Sequence, residues 1–176
     1  MIAEVQPYRI TQAQSPADFA LGRELFEEYA ARLGVDLCFQ GFSAELDKLD
    51  AMYGAASGCL ILAWHYDAVV GCGGVRRLSE TDCEMKRLYV RDSVRGLGYG
   101  RRLAVELIER ARALGYGSML LDTLATMTPA RQLYASLGFR DRTAYYANPL
   151  PGVKYMELDL RQSAARAQPG GRSRAD

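Results

Sequence analysis

The chain predicts a mixed α/β domain built on one largely antiparallel sheet, and three observations carry that prediction. Three β-prone stretches, "GCLILAWHY", "DAVVGCGGVRRL" and "CEMKRLYV", follow one another with only short polar turns between them. A glycine-rich turn and an amphipathic helix then lead to another apolar strand, "SMLLDTL", which makes one β-α-β unit and one parallel strand pair. The closing segment "VKYMELDL" alternates Met156, Leu158 and Leu160 with Glu157 and Asp159, the period of a half-buried strand.

The elements follow in order. "YRITQA" (Tyr8 to Ala13) is a short β-prone stretch. Ser15 as N-cap, Pro16 at the first helical position, Asp18 three residues after the cap and Gly34 as C-cap delimit a first helix, with Phe19, Phe26, Tyr29 and Leu33 on one stripe. A second helix runs from Ser43 to about Gly54. After the three meander strands, Leu103, Leu107, Ile108, Ala111 and Leu114 form one face of a helix that stops at Gly115. Thr128 and Pro129 open another helix, closed by Gly138, and "FRDRTAY" and "VKYMELDL" end the domain as strands. The predicted order is β-α-α-β-β-β-α-β-α-β-β, one domain over residues 1–160.

The 22 Lys and Arg against 21 Asp and Glu give a net charge of +1, but four of those Arg lie in residues 161–176 against one Asp. The remaining 18 basic and 20 acidic residues sum to −2 over residues 1–160, so no nucleic-acid partner is expected. Residues 161–176 lack large apolar side chains and read as a disordered Arg-rich tail. Cys38, Cys59, Cys72 and Cys83 show no C-x-x-C pairing and His65 is the single histidine, so no metal site is expected and the thiols read as reduced and mostly buried. No leader-like or membrane-spanning stretch is visible, which gives a cytoplasmic expectation.

The stretch "RGLGYGRRL" carries the chemistry. Gly96, Gly98 and Gly100 permit backbone angles closed to other residues and let N–H groups approach a ligand, and the start of a helix adds unpaired N–H donors and the positive end of its dipole. The expected guest is an anion such as a phosphate. A dinucleotide-type G-x-G-x-x-G fails, because Arg101 and Leu103 stand where the third glycine is required, and a Walker loop fails at Gly100-Arg101-Arg102.

This stretch resembles motif A of the GNAT N-acetyltransferases, [RQ]-x-x-G-x-[GA], matched by Arg95, Gly98 and Gly100. The similarity extends to "EMKRLYV" as the fourth strand, "SMLLDTL" as the fifth and "ARQLYASLGF" as the next helix, and covers most of residues 8–160. The resemblance implies acetyl-CoA as the cofactor and an amine, on a small molecule or a peptide, as the acceptor. It implies that Leu88, Tyr89 and Val90 pair with the pantetheine arm. It assigns the pyrophosphate to Arg95, Gly96, Leu97, Gly98, Tyr99, Gly100 and Arg101. Met127 stands where many members carry an asparagine that contacts pantetheine, which leaves Thr126 or Thr128 for that contact.

Acetyl transfer to nitrogen needs a neutral amine, a polarised thioester carbonyl and a proton for the departing thiolate. By resemblance Glu84 stands at the spacing of a general base, eleven residues before Arg95; a strand carboxylate paired with Lys86, Arg87 or a cross-strand Arg is an equal reading of the same residue. By resemblance Tyr134 occupies the place of a helix tyrosine that donates to the departing sulfur, and the competing reading is a packed aromatic. His65 and Cys83 are left out of the site. The two early helices and the loop from Tyr145-Tyr146 to Pro151 are the expected acceptor walls, with Tyr53, Tyr145 and Tyr146 as an aromatic mouth. The expected activity is N-acetylation by direct attack in a ternary complex. The alternative is a non-catalytic acyl-CoA-binding module, and a homodimer through strand edges is a further expectation.

Overall fold

The computed structural model describes residues 8–161 apart from Ala55, with the side chain of Phe39 also set aside. The tail expectation over 161–176 therefore lies, beyond Arg161, outside the described residues. Seven strands form one sheet: β1 (Tyr8–Gln12), β2 (Cys59–His65), β3 (Ala68–Arg77), β4 (Asp82–Val90), β5 (Ser118–Leu124), β6 (Arg140–Arg142) and β7 (Val153–Asp159), in the order β1-β2-β3-β4-β5-β7-β6. Every neighbouring pair is antiparallel except β4–β5, the parallel pair that the crossover helix requires.

Helix α1 (Pro16–Leu33) begins at a complete capping box: the Asp18 N–H donates to the Ser15 hydroxyl, and the Ser15 N–H donates to the Asp18 carboxylate. Gly34 closes it at φ 67°, a left-handed cap. The expected helix over 43–54 is instead two short ones, α2 (Phe42–Asp47) and α3 (Leu49–Tyr53), with the ladder broken at Lys48, φ −131°. The break lets the buried side chains of both, Glu45 from α2 and Leu49 and Tyr53 from α3, reach the same face of the sheet. Helix α4 (Tyr99–Ala113) turns Leu103, Leu107, Ile108 and Ala111 into the core, and α5 (Thr128–Ser136) follows β5. The expected strand "FRDRTAY" shortens to the three-residue β6, and β7 inserts between it and β5.

Two apolar clusters flank the sheet. One combines Leu25 and Phe26 of α1 with Tyr53, Leu60 and Leu62; the other combines the α4 face with Ile61, Val75, Met85, Met119 and Leu121. Gly74 of β3 is a packing requirement, since a Cβ there would lie 2.4 Å from the Tyr53 ring.

Two irregularities of β4 position everything that follows. First, its pairing with β5 lasts only from Asp82–Ser118 to Glu84–Leu120, after which the strands separate. Second, between Gly74↔Lys86 and Cys72↔Tyr89 the strand holds one residue more than β3, a bulge at which Arg87 has φ 56°. Before the bulge Cys83 and Met85 enter the α4 cluster; after it Leu88 and Val90 do. The bulge reverses the alternation of side chains just where the strand leaves its parallel neighbour.

Candidate functional site

The wedge between β4 and β5 opens into a cavity of about 690 Å³. Its walls come from Leu88, Tyr89 and Val90 at the end of β4, from Leu121 to Leu124 on β5, from the turn Arg95-Gly96 and Gly98-Tyr99-Gly100, and from Thr126, Met127 and Tyr134 beyond β5. Tyr29, Arg32 and Leu33 of α1 and Gln40 cover it from the opposite face. Ten expected site residues are thus brought together: Leu88, Tyr89, Val90, Arg95, Gly96, Gly98, Tyr99, Gly100, Thr126 and Tyr134. Leu97, Arg101 and Glu84 do not contribute to the wall. Leu97 is exposed, and Arg101 reaches across to the Ser136 hydroxyl at 2.8 Å.

The glycine turn has the geometry its composition calls for. Gly96 and Gly98 adopt φ 80° and 82°, angles that L side chains avoid, and an added Cβ at either would meet nothing within 4 Å. Gly100 lies within α4 at ordinary helical angles, and a Cβ there would touch only Leu133 and Val90, at 3.9 Å. Its lack of a side chain leaves space rather than flexibility. No side chain caps α4, whose ladder starts with the Arg102 N–H donating to the Gly98 carbonyl at 3.1 Å, so the opening N–H groups at Gly100 and Arg101 precede that ladder. Arg95 and Arg32 both meet Asp92 beside the turn, Arg95 at 2.8 Å. An uncapped helix start, a glycine cradle and two arginines fit a phosphate-bearing ligand.

Beyond Glu84 the β5-facing edge of β4 has no ladder partner, so Leu88 to Val90 present backbone donors and acceptors to the cavity. Tyr134 stands across from them on α5, with its ring 5.7 Å from Phe139. Burial, and then the nearby Tyr29 and Asp122, push its hydroxyl well above the ordinary value, so it is held as a proton-bearing donor.

Glu84 is 1% exposed at its side chain and is not among the residues that line the cavity, although its Oε1 lies 3.6 Å from Lys86 Nζ, which does. Its Oε2 accepts from Arg76, the cross-strand partner, at 2.7 and 2.8 Å, and its Oε1 accepts from Tyr145 at 2.6 Å. The structure therefore displays the paired arrangement for Glu84. Tyr145 and Tyr146 pack on Tyr155 with ring centroids 5.2–5.7 Å apart, and their hydroxyls are spent on Glu84 and Asp122. Tyr53 is fully buried and donates to Glu45 at 2.5 Å, so no aromatic mouth forms from these three residues. His65 Nδ1 pairs with the Tyr99 hydroxyl at 2.7 Å, and burial raises the Cys83 thiol to about 12, so neither offers a nucleophile.

The carboxylate that does line the cavity is Asp122. Met119 and Leu121 point into the α4 core, so Asp122, one residue on, faces the α1 side, two positions beyond the last β4–β5 pair. Its Oδ2 accepts from the Tyr146 hydroxyl at 2.9 Å, Gln40 Nε2 at 3.4 Å and Asn148 Nδ2 at 3.5 Å. Lys86 Nζ lies 3.5 Å from Oδ1. The sequence offered one signal for it, a lone charge inside the apolar strand "SMLLDTL"; Tyr29 belongs to the first of the two early helices expected as acceptor walls, while Gln40 gave no signal.

This arrangement has close relatives. Residues 22–139 match the Acetyltransferase (GNAT) family. An uncharacterised N-acetyltransferase of Schizosaccharomyces pombe is 40% identical over 153 residues, which are 86% of this chain and 94% of that one. A crystal structure of an acetyltransferase from Streptococcus agalactiae superposes with a TM-score of 0.72 at 19% identity, covering 88% of this chain and 99% of the other. A Salmonella typhimurium structure described as an acetyltransferase with its cofactor acetyl-CoA gives 0.67 at 20% identity, over 91% and 98%. The splayed parallel pair, the glycine turn and the family match across most of the domain lead to one conclusion: the chain belongs to the acetyltransferase (GNAT) family.

Proposed function

We propose that this protein moves the acetyl group of acetyl-CoA to a primary amine by direct attack in a ternary complex. The family makes it an acyltransferase; the acceptor and the mechanism are our reading. The observation that carries it is the wedge itself: an unpaired β4 edge that runs straight into an uncapped helix start, with a buried tyrosine opposite. The Salmonella typhimurium neighbour, solved with acetyl-CoA, supports the choice of cofactor.

Acetyl-CoA supplies a thioester, whose acyl carbon is the electrophile. The N–H groups at Gly98 to Arg101, with Arg95 and Arg32, hold its pyrophosphate. The β4 edge from Leu88 to Val90 aligns the pantetheine amides as an added strand would, and a backbone N–H near Val90 polarises the carbonyl. Thr126 serves the arm from the β5 side. Tyr134 gives its proton to the departing sulfur, and the low polarity that keeps its hydroxyl protonated also favours a neutral thiol over a thiolate.

A thiol-release assay with acetyl-CoA and a panel of primary amines tests the reading. Release that rises with amine concentration is the expected result. Tight acetyl-CoA binding with no amine-dependent release would instead favour a non-catalytic acyl-CoA-binding module.

A further inference from the structure

Lys86 is an unusual buried charge. Its side chain is 3% exposed, yet its ammonium has only long contacts: Gln40 Oε1 at 3.4 Å, Asp122 Oδ1 at 3.5 Å and Glu84 Oε1 at 3.6 Å. Charge-assisted N–H···O bonds lie near about 2.7–2.9 Å, and Arg87 next to it attains 2.7 Å to Glu45 and 2.9 Å to Gln40. Both carboxylates pair with the ammonium only at 3.5–3.6 Å, and this loose shell leaves room for a closer anion. Lys86 lines the cavity together with Asp122.

Asp122 is the complement. The Tyr146 hydroxyl holds its Oδ2 at 2.9 Å, with Gln40 and Asn148 further out at 3.4 and 3.5 Å, while among the described residues its Oδ1 meets the Lys86 ammonium at 3.5 Å. One oxygen is anchored and the other is left to accept, in the wedge where the strands have parted. Around this pair the wall continues as Tyr29, Leu37 and Leu150. We propose that Asp122 and Lys86 form a two-charge seat for an α-amino acid acceptor, with Asp122 Oδ1 facing the amine and the Lys86 ammonium facing the α-carboxylate. The seat rests on the acetyl-transfer reading above and names its substrate class.

In the transfer the neutral amine donates one N–H to Asp122 Oδ1, which aims its lone pair at the acyl carbon. The C–N bond forms, the C–S bond breaks with its electron pair on sulfur, and Tyr134 protonates that sulfur. The nitrogen, cationic once bonded, passes its surplus proton to Asp122, and the products are the N-acetyl amino acid and free CoA thiol. Tyr146, Asn148 and Gln40 are positioning residues, holding Asp122 from its other oxygen. Glu84 positions the opposite side, keeping Arg76 and Tyr145 in place.

The test is thiol release by the full chain with acetyl-CoA and each of the twenty L-amino acids, against phenethylamine and isoamylamine as carboxylate-free counterparts of phenylalanine and leucine, and spermidine as a polycation. At least one amino acid should be turned over with kcat/KM roughly a hundred-fold above its decarboxylated counterpart, since a site built to pair a polar group rejects the analogue that lacks it. Lys86→Met should pull that ratio toward one, with Lys86→Arg restoring part of it. Asp122→Asn should lower kcat while calorimetry shows acetyl-CoA affinity retained, and Asp122→Glu should recover part of the rate. Spermidine or the simple amines matching the amino acids, or an unchanged kcat in Asp122→Asn, would overturn the proposal. So would acetyl-CoA binding without turnover of any amino acid. Absence of acetyl-CoA binding is a different failure, since it would sink the cofactor reading of the cavity as well.

Discussion

Tyr134→Phe is expected to lower kcat by about 10²- to 10⁴-fold, the span over which positioned proton donors contribute, with the affinity for acetyl-CoA little changed. The substitution removes one oxygen from a buried ring and keeps the packing against Phe139, so the melting temperature should shift little. The pH profile adds a second signature. Burial raises the Tyr134 hydroxyl, so the donor stays protonated through neutral and mildly alkaline solution. Wild-type activity should therefore rise with pH as the amine deprotonates, with no early alkaline decline from this group. Purified variant assayed with an amine found by thiol release checks the claim; a kcat within about two-fold of wild type would remove Tyr134 from the chemistry.

The second large effect is on stability. Glu45→Ala is expected to cost about 3–5 kcal/mol, because Arg87 would keep its charge under the sheet with no anion to meet it. Arg87 donates to Glu45 at 2.7 and 3.3 Å, both side chains are buried, and Tyr53 adds a bond at 2.5 Å. The pair also holds Arg87 at φ 56°, a conformation that costs on the order of 1–3 kcal/mol where nothing enforces it. Burial raises the Glu45 carboxyl, but the hydrogen bonds and charge of Arg87, with the Tyr53 hydroxyl, outweigh it and leave it below its ordinary value of 4.5. A depressed carboxyl contributes stability that is fully present above 4.5 and fades as the pH falls through its lowered folded value. Urea unfolding near neutral pH and under acid checks both statements. A loss below about 1 kcal/mol at neutral pH would show that the pair does not enforce the bulge.

The helix ends and the parallel pair were legible because local chemistry decides them. Ser15, Asp18 and Gly34 cap α1 through contacts three or four residues apart, and the positive-φ glycines at 96 and 98 mark the turn by composition alone. The part of the cavity wall formed by Arg95, Gly96, Gly98, Tyr99 and Gly100 followed from the same stretch. Glu84 resisted because its role depends on partners at a distance in the chain: Arg76 across the sheet and Tyr145, 61 residues away. Spacing from Arg95 could not reveal that both of its oxygens are taken. Asp122, Lys86 and Gln40 were hidden for the same reason, since they come from β5, β4 and the turn before α2, 36 to 82 residues apart in the chain.

The central claim is that the glycine turn and the wedge hold acetyl-CoA, and Gly100→Leu tests it most directly. Gly100 is helical, so leucine is compatible with α4 and gains helix propensity by about 0.5–1 kcal/mol, while its side chain enters the space beside Val90 and Leu133. Isothermal titration of acetyl-CoA should show one micromolar-range site in the wild type and binding weakened about ten-fold or more in a variant that melts no lower, a change of about 1.4 kcal/mol or more. Equal affinity in a folded Gly100→Leu, or no binding to the wild type, would contradict the account.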